Sequence, residues 1–196
     1  MLVNNRKEEE KAFRRERILQ GALEVMDKSE VNKVTMEHIA LQSGFGKATL
    51  YYYFKSKDDV IVAILEKGWI QLLETIKAVP VEPSPSQHFM AIWRALVDVV
   101  RNEHLLYSFL FRAPKLIAVD SSKNDHWKKC QKELYATLKE LLKKGISAGE
   151  LVNLDPQLLM RAIGGLFHSL LLENPKLDTL QNVQLDQLLK NVLQPT

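Results

Sequence analysis

The chain has 196 residues, a hydrophobic fraction of 46%, a charged fraction of 26% and a formal net charge of +3. These values are those of an ordinary soluble protein, and the charge is too small to indicate nucleic-acid binding without local clustering. With only 8 Gly and 7 Pro, the sequence leaves little room for the frequent turns of an all-β fold. We therefore predict an all-α protein.

The first 17 residues are charged throughout, and no uninterrupted apolar run approaches the roughly 20 residues that span a bilayer. We expect a cytoplasmic protein without a membrane segment. A single cysteine, Cys130, excludes an internal disulfide framework. It is either a redox sensor or, as we expect, a buried small hydrophobe. The pair His126 and Cys130 supplies only two metal ligands, so we expect no metal and no cofactor.

The spacing of apolar residues predicts about nine helices and no strand. The first covers about residues 10–28, and Thr35 can cap the second by accepting a backbone N–H. Gly44 lies where a left-handed residue ends a helix. After a short turn, a third helix covers residues 47–54. This succession has the form of a helix-turn-helix.

Ser56 and Asp59 form a capping-box variant that starts a fourth helix over residues 57–78. Residues 79–86 contain three prolines and form the clearest break in the chain. Later helices are longer and more apolar. They are expected at about residues 89–100, at 103–112 with an end near Pro114, from Trp127 to an end near residues 145–149, after the Asp155-Pro156 cap, and at about 179–193.

The positive charge is clustered in one short segment. Between Gly44 and Lys57 the charged residues are Lys47, Lys55 and Lys57, and no acid occurs among them. A DNA major groove about 12 Å wide admits one helix, and Lys47 at the N-terminal end of the third helix would meet base edges. Small residues at 48 and 49 permit a close approach.

Three consecutive tyrosines, residues 51–53, follow on the same helix. Their hydroxyls can bond phosphate oxygens on the walls of the groove, although tyrosines can also simply pack a small domain, and for Tyr52 both interpretations stay open. Arg14, Arg15 and Arg17 in the first helix either form a solvated face or approach phosphate. Lys57 at the start of the fourth helix could neutralise another phosphate.

Residues 35–60 closely resemble the DNA-binding domain of the tetracycline-repressor (TetR) family of bacterial regulators. The resemblance covers about residues 14–65, and beyond it only the helix pattern is similar. Its most specific part is the run Thr49-Leu50-Tyr51-Tyr52-Tyr53-Phe54-Lys55-Ser56-Lys57-Asp58-Asp59.

The resemblance implies a ligand-responsive regulator, in the first place a repressor, that binds operator DNA as a homodimer and is released by a small apolar or amphipathic effector. It implies a DNA-binding domain over residues 1–56 and an effector-binding and dimerisation domain over residues 57–196, coupled by the helix 57–78. DNA contacts are expected from Thr35, Gly46, Lys47, Ala48, Thr49, Tyr51, Tyr52, Tyr53 and Lys57.

Two further sets of residues follow from the same expectation, one for an apolar effector pocket and one for a dimer interface in the last two helices. The pocket candidates are Trp93, Leu96, Val100, Tyr107, Phe111, Trp127, Cys130, Leu134, Phe167 and His168. The interface candidates are Leu159, Ile163, Leu166, Leu170, Leu185, Leu188, Leu189 and Val192. Gly164 and Gly165 within a helix suggest close helix approach, inside the subunit or across the interface.

Two positions depart from the pattern of the family. Gly46 stands where a capping Ser or Thr is common, so the third helix lacks a side-chain cap. Ala48 stands where Gly is common, and its methyl group could contact a thymine methyl or merely fill space. The base preference of the family is therefore not carried over to this chain.

Other classes of function find less support. Leu41 and Ala48 occupy positions where a phosphate loop requires Gly and Ser or Thr, and no Gly-x-Ser-x-Gly turn occurs, so we expect no enzyme. A helical ligand-binding or scaffold protein with a helix-turn-helix shape that binds no DNA is the second hypothesis. The presence of Lys47 and the tyrosines disfavours it.

Overall fold

A computed structural model of the chain describes residues 2–116, 126–171 and 179–195. Over these residues it contains nine α-helices, one short 3-10 helix (Val31–Lys33) and no strand, which confirms the predicted all-α fold. The α-helices are α1 (Leu2–Lys28), α2 (Met36–Ser43), α3 (Lys47–Tyr53), α4 (Lys57–Ala78), α5 (Pro85–Asn102), α6 (His104–Leu116), α7 (His126–Ser147), α8 (Pro156–Leu171) and α9 (Thr179–Leu193).

The described residues form two compact units. The first unit contains residues 2–67 and 109–116, and the second contains residues 68–108, 126–171 and 179–195. Helices α4 and α6 therefore contribute to both units. The domain boundary expected between residues 56 and 57 stays a prediction. No helix in the described ranges is long and apolar enough to cross a membrane.

The core of the first unit forms where α1 packs against α2 and α2 against α3. A Cβ atom at Gly21 of α1 would lie 2.9 Å from backbone atoms of Ser43, so glycine allows α1 and α2 to come this close. Leu50 and Phe54, four residues apart, are both buried as predicted. The short helix α3 is thus fixed by one apolar side. Its other side remains available to a partner.

In the second unit α5 packs against α7 and α8, and α7 packs against α8. Asp155 caps α8, since its carboxylate accepts the backbone N–H groups of Gln157 at 3.0 Å and Leu158 at 2.9 Å. The backbone N–H of Val152 donates to the carbonyl of Leu193 at 2.8 Å, which fixes the end of α9 beside the connection between α7 and α8.

Three helices, α1, α5 and α6, are longer than the apolar pattern predicts. Helix α1 begins at Leu2 rather than near Glu10, because a solvent-exposed helix end rich in Arg, Lys and Glu needs no apolar side. The pair of Glu10 with Arg14 (2.5 Å) supports the turn that follows. The end of α6 near Pro114 was predicted wrongly. The helix continues to Leu116, since a proline close to a helix end removes only its own N–H from the hydrogen-bond pattern.

Helix α5 begins at Pro85, four residues before the predicted start. The hydroxyl of Ser84 accepts the backbone N–H of Gln87 at 3.3 Å and caps the helix, and Pro85 occupies the first helical position. Residues 79–86 therefore contain the start of α5 as well as the break between α4 and α5.

Candidate nucleic-acid interface

The turn between α2 and α3 is set by local hydrogen bonds. Thr35 caps α2, because its hydroxyl oxygen accepts the backbone N–H of His38 at 3.3 Å while the His38 ring accepts the Thr35 N–H at 3.4 Å. Gly44 ends α2 with a left-handed φ of 76°, and the N–H of Phe45 returns to the carbonyl of Ala40 at 3.0 Å. This is the helix-turn-helix geometry that the sequence predicts.

One side of α3 is open to solvent. Lys47, Ala48, Tyr51 and Tyr52 are exposed, with exposed fractions of 48% for Tyr51 and 74% for Tyr52. Because residues four apart share a helix face, Lys47 with Tyr51 and Ala48 with Tyr52 form one continuous surface. Leu50 on the opposite side is buried. The structure thus brings four of the predicted DNA contacts together.

The other predicted contacts lie at the margins of this surface. Thr49 and Tyr53 are half-buried, and the rings of Tyr52 and Tyr53 meet edge to face at 5.1 Å. Gly46 provides the N-cap without a side-chain hydrogen bond. A Cβ atom at Gly46 would meet nothing within 4 Å, so the fold itself does not require glycine there.

Lys57 has a structural partner that sequence reasoning missed. Its ammonium group donates to the carbonyls of Val31 at 2.9 Å and Asn32 at 3.5 Å, which ties α4 to the 3-10 helix. An ammonium has three N–H donors, so one remains for a phosphate. Thr35 is similarly occupied as a cap, although its hydroxyl hydrogen is still able to donate.

Lys47 forms an ion pair with Glu37, whose carboxylate oxygen lies 2.7 Å from the lysine nitrogen. The pair joins the first turns of α3 and α2. The hydrogen bond from Lys47 lowers the pKa of the Glu37 carboxyl to about 2, so this group stays ionised at neutral pH. Glu37 was not among the predicted site residues, because it lies outside the acid-free basic segment 44–57.

Two of the three arginines at positions 14, 15 and 17 contact the helix-turn-helix. The guanidinium of Arg17 donates to the carbonyl of Ser43 at 3.3 Å and lies 5.7 Å from the centre of the Phe45 ring. Arg15 lies 5.3 Å from the centre of the Phe54 ring. A cation beside the last carbonyls of α2 and the turn favours this local geometry.

Arg17→Ala should lower the free energy of unfolding by about 1 kcal/mol, because it removes both the carbonyl contact and the stacked cation. Arg17→Lys should recover only part of the loss, since an ammonium lacks the planar surface that stacks on Phe45. Arg14→Ala is the matched control, because Arg14 has an exposed pair with Glu10 that contributes little. Denaturant unfolding measures all three. Equal stability of the Arg17 and Arg14 variants would contradict the interpretation.

Most of the predicted pocket residues lie in the interior of the second unit. Trp93 on α5 and Phe167 on α8 meet edge to face, with ring centres 5.3 Å apart. His168 is half-buried, and Phe111 is half-buried in the first unit. The remaining candidates are buried: Leu96, Val100, Tyr107, Trp127, Cys130 and Leu134.

Two of these buried side chains carry polar atoms without a hydrogen-bond partner among the described residues, the indole nitrogen of Trp93 and the hydroxyl of Tyr107. Burial raises the pKa of the Tyr107 phenol above its ordinary value, and the charge of Glu103 adds to the shift. A buried polar atom that lacks a partner is costly, so its presence calls for a specific explanation.

A separate open groove of about 490 Å³ lies in the second unit, and none of the predicted pocket residues lines it. The sulfur of Cys130 lies 3.8 Å from a ring nitrogen of His126. No group of three metal-ligating side chains occurs in the described residues.

The predicted interface residues divide by their exposure. Leu159, Ile163, Leu185 and Leu189 are buried within the subunit and have little surface left for a partner. Leu166 is half-buried, the side chain of Leu170 lies outside the described part of the structure, and Leu188 and Val192 are exposed by 42% and 37%. Leu158 on α8 and Val183 on α9 are also exposed apolar residues, and the prediction did not include them.

Comparison with known proteins agrees with this geometry. The sequence profile described as "Bacterial regulatory proteins, tetR family" matches residues 18–64, from the buried part of α1 into α4. An uncharacterized HTH-type transcriptional regulator, YvdT of Bacillus subtilis (strain 168), is 28% identical over 143 residues, which are 69% of this chain and 68% of that protein. Residues 18–64 of this chain therefore match the DNA-binding region of the TetR family of transcriptional regulators.

Solved structures of transcriptional regulators share the fold over almost the whole chain. PfmR from Thermus thermophilus is 15% identical and has a TM-score of 0.75, covering 89% of this chain and 95% of that chain. The ketosteroid transcriptional regulator KstR2 of Mycobacterium tuberculosis is 18% identical with a TM-score of 0.73, covering 92% and 95%. The predicted resemblance to the TetR family is thus confirmed, and the similar proteins are named as regulators of transcription.

Proposed function

We propose that this TetR-family regulator is a repressor that binds operator DNA as a homodimer and is released when a small molecule binds in its second unit. The observation that carries the proposal is the exposed surface of α3, where Lys47, Ala48, Tyr51 and Tyr52 stand opposite the buried Leu50. A helix of this size fits the major groove, with its N-terminal residues at the base edges and tyrosines at the phosphates.

Selection of bound sequences from random DNA tests this proposal directly. The protein should enrich one sequence with two related half-sites, because a symmetric dimer places one α3 in each of two successive major grooves about 34–36 Å apart. Failure to enrich any sequence would favour the hypothesis of a helical scaffold or ligand-binding protein that binds no DNA.

The proposed dimer rests on the exposed surfaces of α8 and α9. Gly164 and Gly165 lie mid-helix, where each costs about 0.5–1 kcal/mol relative to alanine. A Cβ atom at either glycine would meet nothing within 4 Å, so no packing inside the described part of the subunit requires them. These small residues on α8 and the exposed Leu188 and Val192 on α9 suit close approach of a second copy.

The proposed effector site uses Trp93 and Tyr107. An indole N–H can only donate and a phenol hydroxyl can donate or accept, so a ligand that satisfies both atoms must present at least one hydrogen-bond acceptor. The neighbouring candidates Leu96, Val100 and Leu134 are apolar. We therefore expect a largely apolar effector with a carbonyl, ether or hydroxyl oxygen, whose binding and DNA binding weaken each other reciprocally.

Tyr107→Phe should leave the melting temperature of the free protein unchanged or raise it, because the change removes a buried hydroxyl that has no described partner. The same change should weaken effector binding about tenfold, the effect of losing one hydrogen bond of about 1.4 kcal/mol. Thermal-shift titration with pairs of apolar compounds that differ by one carbonyl group measures both effects. Tyr135→Phe is the control within the second unit, where Tyr135 contacts Trp69.

A lower melting temperature of free Tyr107→Phe would show that the hydroxyl has an internal structural role, and the effector model would lose its support. Stabilising ligands that leave operator affinity unaltered would contradict the proposed release mechanism.

A further inference from the structure

An acidic residue, Glu37, lies against Lys47, the residue of the proposed DNA surface expected to contact bases. Its carboxylate lies 2.7 Å from the ammonium of Lys47, and both side chains are exposed. Exposed ion pairs contribute little to stability, typically about 0–1 kcal/mol, so the pair is readily rearranged when DNA arrives. We therefore expect the pair to affect DNA binding rather than the stability of the fold.

The pair changes what Lys47 contributes to DNA binding. A lysine that contacts phosphate increases affinity for every sequence by releasing about one counterion. Lys47 and Glu37 together carry no net charge, so a loosely docked, sequence-independent complex gains nothing from them. At a base edge the same ammonium can donate to a guanine acceptor, such as O6 or N7, without leaving the carboxylate, because it has three N–H donors.

On the basis of the proposed operator binding, we propose that Glu37 is a specificity-determining residue that acts through Lys47. The carboxylate offsets the lysine charge against phosphates and holds the ammonium at the N-terminal end of α3. Lys47 thereby discriminates between sequences and adds little to sequence-independent affinity. Specificity is a difference between two affinities, and Glu37 increases it by weakening the complex with the wrong DNA.

The test measures affinity for the selected operator and for a scrambled duplex over a salt series. Glu37→Gln should raise affinity for the scrambled duplex about tenfold and steepen its slope of log affinity against log salt by about two units, one for each subunit of the dimer. The ratio of operator to scrambled affinity should fall about fivefold, because the operator complex gains less from the uncovered charge. Glu140→Gln is the matched control, since Glu140 forms a similarly exposed pair with Lys143 in the second unit.

The double variant gives the sharpest result. Lys47→Ala with Glu37→Gln restores the net charge of the pair, so affinity for the scrambled duplex and its salt slope should return to wild-type values while the affinity ratio stays low. In the Lys47→Ala background, Glu37→Gln should leave that ratio unchanged. A wild-type ratio and slope in Glu37→Gln alone would overturn the inference, as would a fall in the ratio that persists without Lys47. Proposed operator binding fails separately, when the wild-type protein selects no sequence.

Discussion

Replacing Leu188 and Val192 by glutamate should convert the proposed dimer into monomers and lower operator affinity at least about a hundredfold, because a monomer holds only one of two half-sites. Both side chains are exposed in the subunit and lie four residues apart on α9. In a symmetric dimer, the two new carboxylates of one copy would face those of the other copy in an interface from which water is excluded, and this destabilises the dimer. The subunit itself should stay folded, since neither position belongs to its core.

Sedimentation and operator binding measure the two effects on the same samples. Val81→Glu is the control, because Val81 is an exposed apolar residue of the second unit outside α8 and α9. Gly165→Leu adds a separate check, since a Cβ atom there meets nothing within 4 Å inside the described subunit, whereas a leucine side chain would block close approach of another copy. Unchanged dimers in both the glutamate and the Gly165 variants would place the interface elsewhere.

The sequence predicts the helices wherever local signals and apolar spacing agree. Thr35 and Gly44 bound α2 as expected, and Asp155 starts α8. The prediction fails where a helix needs no apolar stripe, as in the first turns of α1, or where one residue supports two interpretations. The Ser84-Pro85 start of α5 has the same form as the Asp155-Pro156 start of α8, but the surrounding prolines made a linker the simpler interpretation.

The candidate site could be predicted only at the level of which helix face it occupies. The spacing of Leu50 and Phe54 places the tyrosines outward, because one short helix cannot bury both sides. Contacts between distant positions leave no periodic signal. The pairing of Lys47 with Glu37 and the contact of Arg17 with Ser43 depend on how α1, α2 and α3 pack, which no spacing in the sequence records.

Tyr51→Phe should weaken binding to operator and scrambled DNA alike. A hydrogen bond to a charged acceptor contributes about 1.5–3 kcal/mol, so its loss in both subunits of a dimer lowers affinity roughly a hundredfold or more. The exposed Tyr51 hydroxyl can reach a phosphate without disturbing the core. Tyr53→Phe should act in the same direction with a smaller effect, because Tyr53 is half-buried and packs against Tyr52.

These changes should leave the salt slope nearly intact, because a phenol carries no charge and releases no counterion.

Thr49→Ala should behave differently, since a residue near the N-terminal end of α3 contacts bases and its loss alters the preferred sequence rather than the affinity for all DNA. Lys57→Ala should make the slope shallower by about one unit for each subunit. Tyr135→Phe in the second unit controls for the substitution itself. Sequence selection and salt titration on each variant separate the two roles, and wild-type affinity in the Tyr51, Tyr53 and Thr49 variants together would show that α3 is not the DNA-contacting helix.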